Sequence, residues 1–297
     1  MQILTLTAPS LLTGCGHLGK LCAHCFAPST SSTHDQPLDF AETQSLKSSE
    51  EKALPKNVKL DQQSRSHYFD RDFPDDIYAR GAELEILQRL ARKIGYIQSY
   101  VGHGHFNILG WDEMIRFAAY APGLSPFSTE EKAYLEGLFY AEARRYGFMG
   151  EKIFKELSHG VSKGHAYKVP YSGHYLKKGA SLELYEKLRS DVGDQLVLTS
   201  GLRALAKQFH LFLEKARETG GNLSRASRSL APPGYSFHGR GDFDIGMIGL
   251  GLENFSDRFA DTEVYQKLIE LGYVDIRYTE GNLLGVRFEP WHIKVES

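Results

Sequence analysis

One glycine-rich stretch of the sequence brings an imidazole and two carboxylates close together. Residues 232–246 (PPGYSFHGRGDFDIG) contain His238, Asp242 and Asp244 between prolines and glycines. This composition is typical of a solvated connection between elements. Imidazoles and carboxylates are also the side chains that bind zinc. A second group of ligand-type residues elsewhere in the chain would therefore favour a metal site over a plain loop.

The second group lies near the end of the chain, in residues 289–292 (EPWH). On an ideal strand, residues three apart point to opposite faces, so Glu289 and His292 would not share a pocket. Pro290 changes this expectation, because proline cannot donate to a strand ladder and is found at edges and bulges. We therefore predict a bulge that brings Glu289 and His292 to the same side.

Together the two stretches predict a hydrolytic zinc site. His238, one aspartate and His292 supply two imidazoles and a carboxylate, a set that suits zinc with an open fourth position. Glu289 would remain unligated beside the metal. A carboxylate there can take a proton from the attacking water and deliver it to a leaving amine.

These residues resemble the zinc D-alanyl-D-alanine carboxypeptidases, a family that also includes lysostaphin-type and hedgehog-type domains. The family signature is a Ser-x-His loop leading to an Asp, followed by a late Glu-x-Trp-His. The chain has residues 236–238 (SFH), Asp244 and residues 289–292. Residues 200–203 (SGLR), with Gln208 further on, are similar to a third segment of the family, Ser-Gly-Tyr-Arg with a trailing glutamine. The resemblance covers about residues 165–297.

The resemblance implies a zinc ion held by His238, Asp244 and His292, with Glu289 as the catalytic acid-base group. The chain departs from the family in one spacing, since five residues separate His238 from Asp244 where many relatives have six. We choose Asp244 because its apolar neighbours are typical of the start of a buried strand. Asp242 is the alternative ligand, and its expected role is a solvent-facing acid or one that supports a ligand.

The resemblance also implies residues that bind the substrate. Arg203 would polarise the scissile carbonyl or hold the terminal carboxylate of the peptide, because a guanidinium offers a fixed fork of donors. Ser200, Gln208 and Ser236 would add neutral hydrogen bonds at the same end of the peptide. Three histidines that precede these motifs are interpreted as loop residues, with a place in the wall of the cleft as the alternative for one of them: His159, His165 and His174.

The surrounding elements predict an α+β protein. Helical spacing of apolar residues, a capping box at Ser128 and a stop at Gly147 indicate a helical domain over residues 70–155. The catalytic domain is predicted over residues 160–297, and the resemblance implies a small antiparallel sheet flanked by helices. Its predicted helices are 182–192, 205–216 and 263–272, and its predicted strands are 195–199, 274–278 and 285–295.

The first 68 residues are predicted to be a leader and a tether. Residues 1–25 resemble a bacterial lipoprotein signal, with Cys15 after small residues as the lipid-anchor site, although Met1 and Gln2 bring no basic charge. Residues 26–68 are rich in Ser, Thr, Pro and charge, as flexible tethers are. The sequence therefore favours the bacterial periplasm or cell envelope, with a membrane anchor.

The function predicted from these residues and the resemblance is that of a zinc-dependent D,D-carboxypeptidase acting on peptidoglycan stem peptides. A net charge of -2 argues against nucleic acid as a partner. An endopeptidase that cuts cross-links is the alternative within the enzyme class, because the same zinc site hydrolyses either bond. A wall-binding module without activity is the alternative outside it, and Glu289 argues against that because a structural zinc site needs no unligated carboxylate.

Overall fold

The computed structural model describes residues 56–295 of the 297-residue chain. The predicted leader with Cys15, and the tether up to residue 55, lie outside the described residues. Within them the chain forms helices and two small antiparallel sheets, so the predicted α+β class is confirmed. No helix of the described part is both long and apolar enough to cross a membrane.

The helices fall before, between and after the strands. They are α1 (Lys56–His67), α2 (Ala82–Val101), the single turn α3 (His103–Phe106), α4 (Trp111–Tyr120), α5 (Thr129–Tyr140), α6 (Ala180–Val192), α7 (Leu205–Glu218), α8 (Leu223–Ser229) and α9 (Glu263–Glu270). The strands are β1 (Ala166–Lys168), β2 (Tyr175–Lys177), β3 (Leu196–Ser200), β4 (Phe243–Met247) and β5 (His292–Ile293).

The first hydrophobic core joins the N-terminal helices to α7. The apolar stripe of α2 recurs at helical spacing and is buried along its whole length. It packs against one face of α7, and both helices contribute to a single cluster that also takes in α4, α5 and α8. Members of this cluster include Leu87, Leu90, Ile94, Phe209, Phe212 and Leu213. The helical segment therefore supports α7 from behind.

Two segments differ from the sequence prediction because of tertiary contacts. Residues 56–67, predicted as the end of the tether, form α1, where Arg65 makes ion pairs with Asp61 and Asp75, each at 2.9 Å. Helix α5 begins at the predicted Ser128 capping box but ends at Tyr140, and a separate 3₁₀ turn then leads to Gly147. Beyond this end, the Tyr235 hydroxyl donates to the carbonyl of Ala141 and accepts from the backbone N–H of Ala143, each at 3.4 Å.

The second core surrounds the catalytic sheet, which has the order β3-β4-β5 with both pairs antiparallel. Helices α6 and α9 pack against it. The predicted strand 285–295 is reduced to β5, because Pro290 lies in a turn just before it. The predicted strand 274–278 survives only as a bridge between Ile276 and Ile293. A second sheet, β1 with β2, forms a hairpin, and the carbonyl of Tyr175 in β2 accepts a hydrogen bond from the backbone N–H of Leu202, just after β3, at 2.7 Å.

Candidate active site

The register of the catalytic sheet places three of the predicted residues in one row. Ser200 of β3 lies opposite Asp244 of β4, and Asp244 lies opposite His292 of β5. The register shifts between Leu198 and Ser200, so the end of β3 is irregular next to the site. His238 comes from a 3₁₀ turn immediately before β4. The sheet therefore brings together residues that are up to 92 positions apart in the chain.

The ligand atoms of His238, Asp244 and His292 converge on one point. Asp244 Oδ1 lies 3.3 Å from His238 Nε2 and 3.2 Å from His292 Nδ1. All three residues are buried, and one ligand atom from each lies within 4.8 Å of the others. Zinc–ligand bonds of ~2.0–2.2 Å in a tetrahedron put the ligand atoms roughly 3.3–3.6 Å apart. The separations from Asp244 fit that spacing closely.

Two of these atoms are also buried without a hydrogen bond in the described part of the chain. They are His238 Nε2 and Asp244 Oδ1. A buried polar atom without a partner is costly, and natural structures explain such atoms with a strained, catalytic or ion-binding role. The donor set of two imidazoles and one carboxylate fits zinc. The residues present therefore fit the predicted metal.

Each imidazole is oriented by the ring nitrogen that faces away from the site. Nδ1 of His238 lies 2.8 Å from the carbonyl oxygen of Gly201, which can only accept, so Nδ1 carries the proton. Nε2 of His292 lies 3.0 Å from a carboxylate oxygen of Asp242 and donates to it. The nitrogens left for a metal are therefore Nε2 of His238 and Nδ1 of His292.

The charges around the ligands favour an ionised carboxylate. Burial raises the pKa of Asp244, but the neighbouring His238 and Arg203 together hold it well below its usual value. Burial lowers the pKa of His238 to about 4, so its imidazole is neutral at pH 7. Burial lowers the pKa of His292 too, yet the two carboxylates that it contacts raise it to about 9. Metal binding must therefore displace a proton from His292.

Asp242 does not face solvent, and this expectation was wrong. It is buried and accepts hydrogen bonds from Arg277 Nε at 2.6 Å, Arg277 Nη2 at 3.1 Å and His292 Nε2 at 3.0 Å. The backbone N–H of Val295 adds a fourth at 3.0 Å. The Arg277 guanidinium in turn lies 3.6 Å from the centre of the Phe237 ring. The alternative expectation, an acid that supports a ligand, describes what Asp242 does.

Glu289 and His292 lie on the same side, as predicted, but through a turn and not a bulge. The backbone N–H of His292 bonds to the carbonyl of Glu289 at 3.1 Å across Pro290. Oε2 of Glu289 lies 3.8 Å from His292 Nδ1. Within residues 56–295, no hydrogen bond reaches the Glu289 carboxylate. Burial raises its pKa to about 7, although Arg287 and His292 oppose that rise.

Arg203 lies beside the ligands and is held by two contacts. Its Nε donates to Ser200 Oγ at 2.9 Å, and its Nη2 pairs with the second oxygen of Asp244. Gly201 precedes it at a point where β2 crosses so closely that a Cβ would collide with the carbonyl of Tyr175. Ser200 is therefore a partner of Arg203, and Gly201 allows the crossing.

Gln208 differs from its expected role at the substrate. Its Nε2 donates to the carbonyl of Arg203 at 2.8 Å, and its Oε1 accepts from the backbone N–H of Gly234 at 2.8 Å. Both ends of the amide are thus bonded to the protein's own backbone. Ser236 is buried at the N-terminal end of the turn that carries His238. Gln208 therefore joins the Arg203 segment to the loop that presents His238.

An open cleft of about 300 Å³ adjoins the ligands. Its wall includes Arg203, Lys207, Asp244, Glu289, Trp291 and His174. Larger depressions exist on the surface, but they are lined by residues away from the metal ligands. His174, interpreted from the sequence as a loop residue, lines this cleft.

Sequence reasoning missed Arg277 and Lys207. Arg277 lies 35 residues from Asp242, and no motif links the two. Lys207 could have been found from its position between Arg203 and Gln208, two residues that the family resemblance already marks.

Residues 174–296 match the family model of VanY-type D-alanyl-D-alanine carboxypeptidases. No curated protein sequence matches the chain. Among solved structures, similarity is found to a mutant of the vancomycin-resistance D,D-pentapeptidase VanY in complex with Zn(II), at 23% identity, 50% coverage of this chain, 88% of that chain and a TM-score of 0.38. VanYB in complex with D-alanine-D-alanine matches at 23% identity, with 50% and 85% coverage and a TM-score of 0.37.

A third similar structure is the LdcB LD-carboxypeptidase. The identity is 20%, the TM-score is 0.36, and the match covers 43% of this chain. The chain thus spans 63% of LdcB, less than two thirds of its length. The family match covers the sheet, α7, the ligand-bearing loop and the turn with Glu289. The C-terminal part of the chain, residues 174–296, is therefore similar to the VanY-type D-alanyl-D-alanine carboxypeptidases.

Proposed function

We propose that the protein is a zinc-dependent D,D-carboxypeptidase that removes the terminal D-alanine from peptidoglycan stem peptides. One observation carries the proposal. The ligand atoms of His238, Asp244 and His292 converge, and two of them are buried without a hydrogen bond from any residue of the described structure. The carboxylate of Glu289 lies beside them in an open cleft. A structural metal site needs neither an adjacent free carboxylate nor a cleft.

Glu289 is the acid-base group of the proposed reaction. When bound, zinc acts as a Lewis acid and lowers the pKa of coordinated water. Glu289 accepts the proton of the attacking water at its carboxylate and passes it to the amine of the departing D-alanine. A pKa raised by burial to about 7 suits both steps, because a general base works best near the operating pH.

Arg203 supports the reaction from its position beside the ligand Asp244. Its contacts with Ser200 and Asp244 fix the guanidinium at the edge of the cleft. From there it stabilises the negative charge that develops on the scissile carbonyl oxygen, as fixed donors in a water-poor site do. Gln208 holds the Arg203 segment next to the loop that carries His238, because it hydrogen-bonds to the backbone of both.

The proposed location is the bacterial periplasm or cell envelope, where peptidoglycan is found. Cys15 is the proposed lipid anchor, and it lies outside the described residues. Expression of the full-length gene in a Gram-negative host tests this. The protein should fractionate with membranes, and Cys15→Ser should release it. A wild-type protein found in the cytoplasm would contradict the location without bearing on the enzyme.

Incubation with purified muropeptides, followed by mass spectrometry, tests the function. Pentapeptides should lose one D-alanine, and cross-linked dimers should remain joined. Dimers split into monomers without loss of a terminal D-alanine would make the protein an endopeptidase. Muropeptides bound but unchanged by the zinc-loaded protein would make it a binding module.

A further inference from the structure

A stripe of α7 forms one wall of the cleft. Lys207, Leu211 and Lys215 follow one another at intervals of four, so they lie on the same side of the helix and line the cleft. Arg203, just before the helix, lines the cleft beside them. The opposite face of α7 is buried in the helical core. The wall therefore carries positive charge at a position fixed by packing.

Within the described residues, Lys207 is the cation of this wall that has no anionic partner. Its Nζ donates to the neutral side chain of Gln98, on α2, at 2.9 Å. Among residues 56–295, no carboxylate lies within ion-pair distance of Lys207. Burial, with a further contribution from Arg203, lowers its pKa to about 8. A partly buried ammonium without a counter-charge is costly, and a bound anion would remove that cost.

The other polar groups of the cleft wall either have an ion-pair partner within the protein or are hydrogen-bond donors. Arg203 pairs with Asp244, so its charge is directed to a metal ligand. Nδ1 of His174 lies 3.3 Å from Asn107 Nδ2, which also donates to the carbonyl of Gly173 at 3.3 Å. Nδ1 therefore accepts, and the ring proton lies on Nε2.

Two further wall atoms are buried and have no hydrogen-bond partner in the described structure, Thr199 Oγ1 and Arg287 Nε. Except for Glu289 and the metal ligand Asp244, the charged groups of the wall are therefore cations. A wall of this kind fits a ligand that brings an anion and accepts hydrogen bonds.

We propose that Lys207 binds the C-terminal carboxylate of the peptide substrate and thereby sets the preference for cleavage next to a free chain end. This proposal rests on the proposed carboxypeptidase function and deepens it. Lys207 lies in the same cleft as Glu289, so Arg203, whose proposed role is at the scissile carbonyl, is not needed to hold the carboxylate. An internal peptide bond offers no carboxylate at that position, so an endopeptidase substrate would leave Lys207 uncompensated.

The test compares an N-acetylated peptide ending in D-alanyl-D-alanine with its C-terminal amide. The zinc-loaded wild type should prefer the acid in kcat/KM by ~10-fold or more, the usual range for a charge-assisted hydrogen bond. Lys207→Gln should lose most of this preference, because KM for the acid should rise while kcat/KM for the amide changes little. Lys207→Arg should recover part of it.

Arg217→Gln is the matched control. It removes a positive charge from the same helix, where Arg217 pairs with Glu214 outside the cleft. It should keep the wild-type preference. The proposal is overturned if Lys207→Gln keeps the preference for the acid, or if it slows cleavage of the acid and the amide equally.

A binding measurement separates this proposal from the proposed function. Calorimetry with the Glu289→Gln protein, compared with the same protein carrying Lys207→Gln, measures affinity for both peptides without turnover. The second substitution should weaken binding of the acid peptide by ~10-fold or more and leave binding of the amide peptide unchanged. Absence of cleavage by the wild type would contradict the proposed function alone, whereas equal affinity of the two proteins for the acid would overturn the role of Lys207.

Discussion

Replacement of Asp242 by Asn should weaken both the fold and the metal site, although Asp242 is not a proposed ligand. The carboxylate accepts four hydrogen bonds, two from Arg277 and one each from His292 and the backbone of Val295. An amide has one oxygen with two lone pairs, so two of the four donors would face an NH₂ group. The change also removes the counter-charge of Arg277, whose side chain is only 15% exposed.

The expected magnitude follows from these contacts. Breaking a buried ion pair by removing one charge costs about 3–5 kcal/mol, which is the expected fall in the free energy of unfolding of the metal-free protein. The loss of a partner that orients a metal-binding histidine costs roughly 10–100-fold in metal affinity, here through His292. Urea denaturation measures the first effect, and competition with a chromophoric zinc chelator measures the second.

Asp194→Asn is the control for this prediction. Asp194 also pairs with an arginine, Arg189, but its side chain is 99% exposed. Its replacement should change the free energy of unfolding by no more than about 0.5 kcal/mol. The reasoning is refuted if Asp242→Asn leaves zinc affinity within about twofold of wild type, because His292 would then not depend on Asp242 for its orientation.

Three further predictions concern the ligands and Arg203. Asp244→Ala should lose zinc on dialysis, as metal analysis will show, and retention of one zinc per chain would exclude Asp244 as a ligand. Arg203→Lys keeps the charge but loses the planar fork, so D-alanine release should slow while zinc content stays at the wild-type level. Zinc binding at pH 7 should release about one proton, because the pKa of His292 is raised to about 9 in the metal-free protein. The apparent affinity for zinc should therefore rise with pH up to that value. Calorimetry in buffers of different ionisation enthalpy measures the number of protons released. A count near zero at pH 7 would contradict the assignment of His292 as a ligand that is protonated before zinc binds.

Local signals in the sequence predicted the elements that depend on nearby residues. The capping box at Ser128 forms as expected, with Glu131 bonding back to the Ser128 backbone. The stripes of α2 and α7 are buried as their spacing predicts. The candidate ligands were also found from short motifs, with His238 and Asp244 in one glycine-rich stretch and His292 in residues 289–292. The sheet register that unites these motifs could be expected only through the family resemblance.

Features that depend on distant contacts were not predictable from the sequence. Nothing near Asp242 indicates that Arg277 will neutralise it, and so the burial of Asp242 was missed. The two backbone bonds of Gln208 join segments that only the fold brings together. The segment 274–278 has the composition of a strand. Its partner β5 is only two residues long, so the segment forms a single bridge, between Ile276 and Ile293.

The most direct test of the account is the Glu289→Gln protein, measured for zinc and for D-alanine release in the same preparation. The substitution removes the proton acceptor but leaves His238, Asp244 and His292 unchanged, so zinc should remain near one per chain. The rate of D-alanine release from a pentapeptide should fall by ~10²–10⁴-fold, the usual contribution of a positioned acid-base group. A variant that keeps both its zinc and a near-normal rate would contradict the assignment of Glu289 and the mechanism built on it.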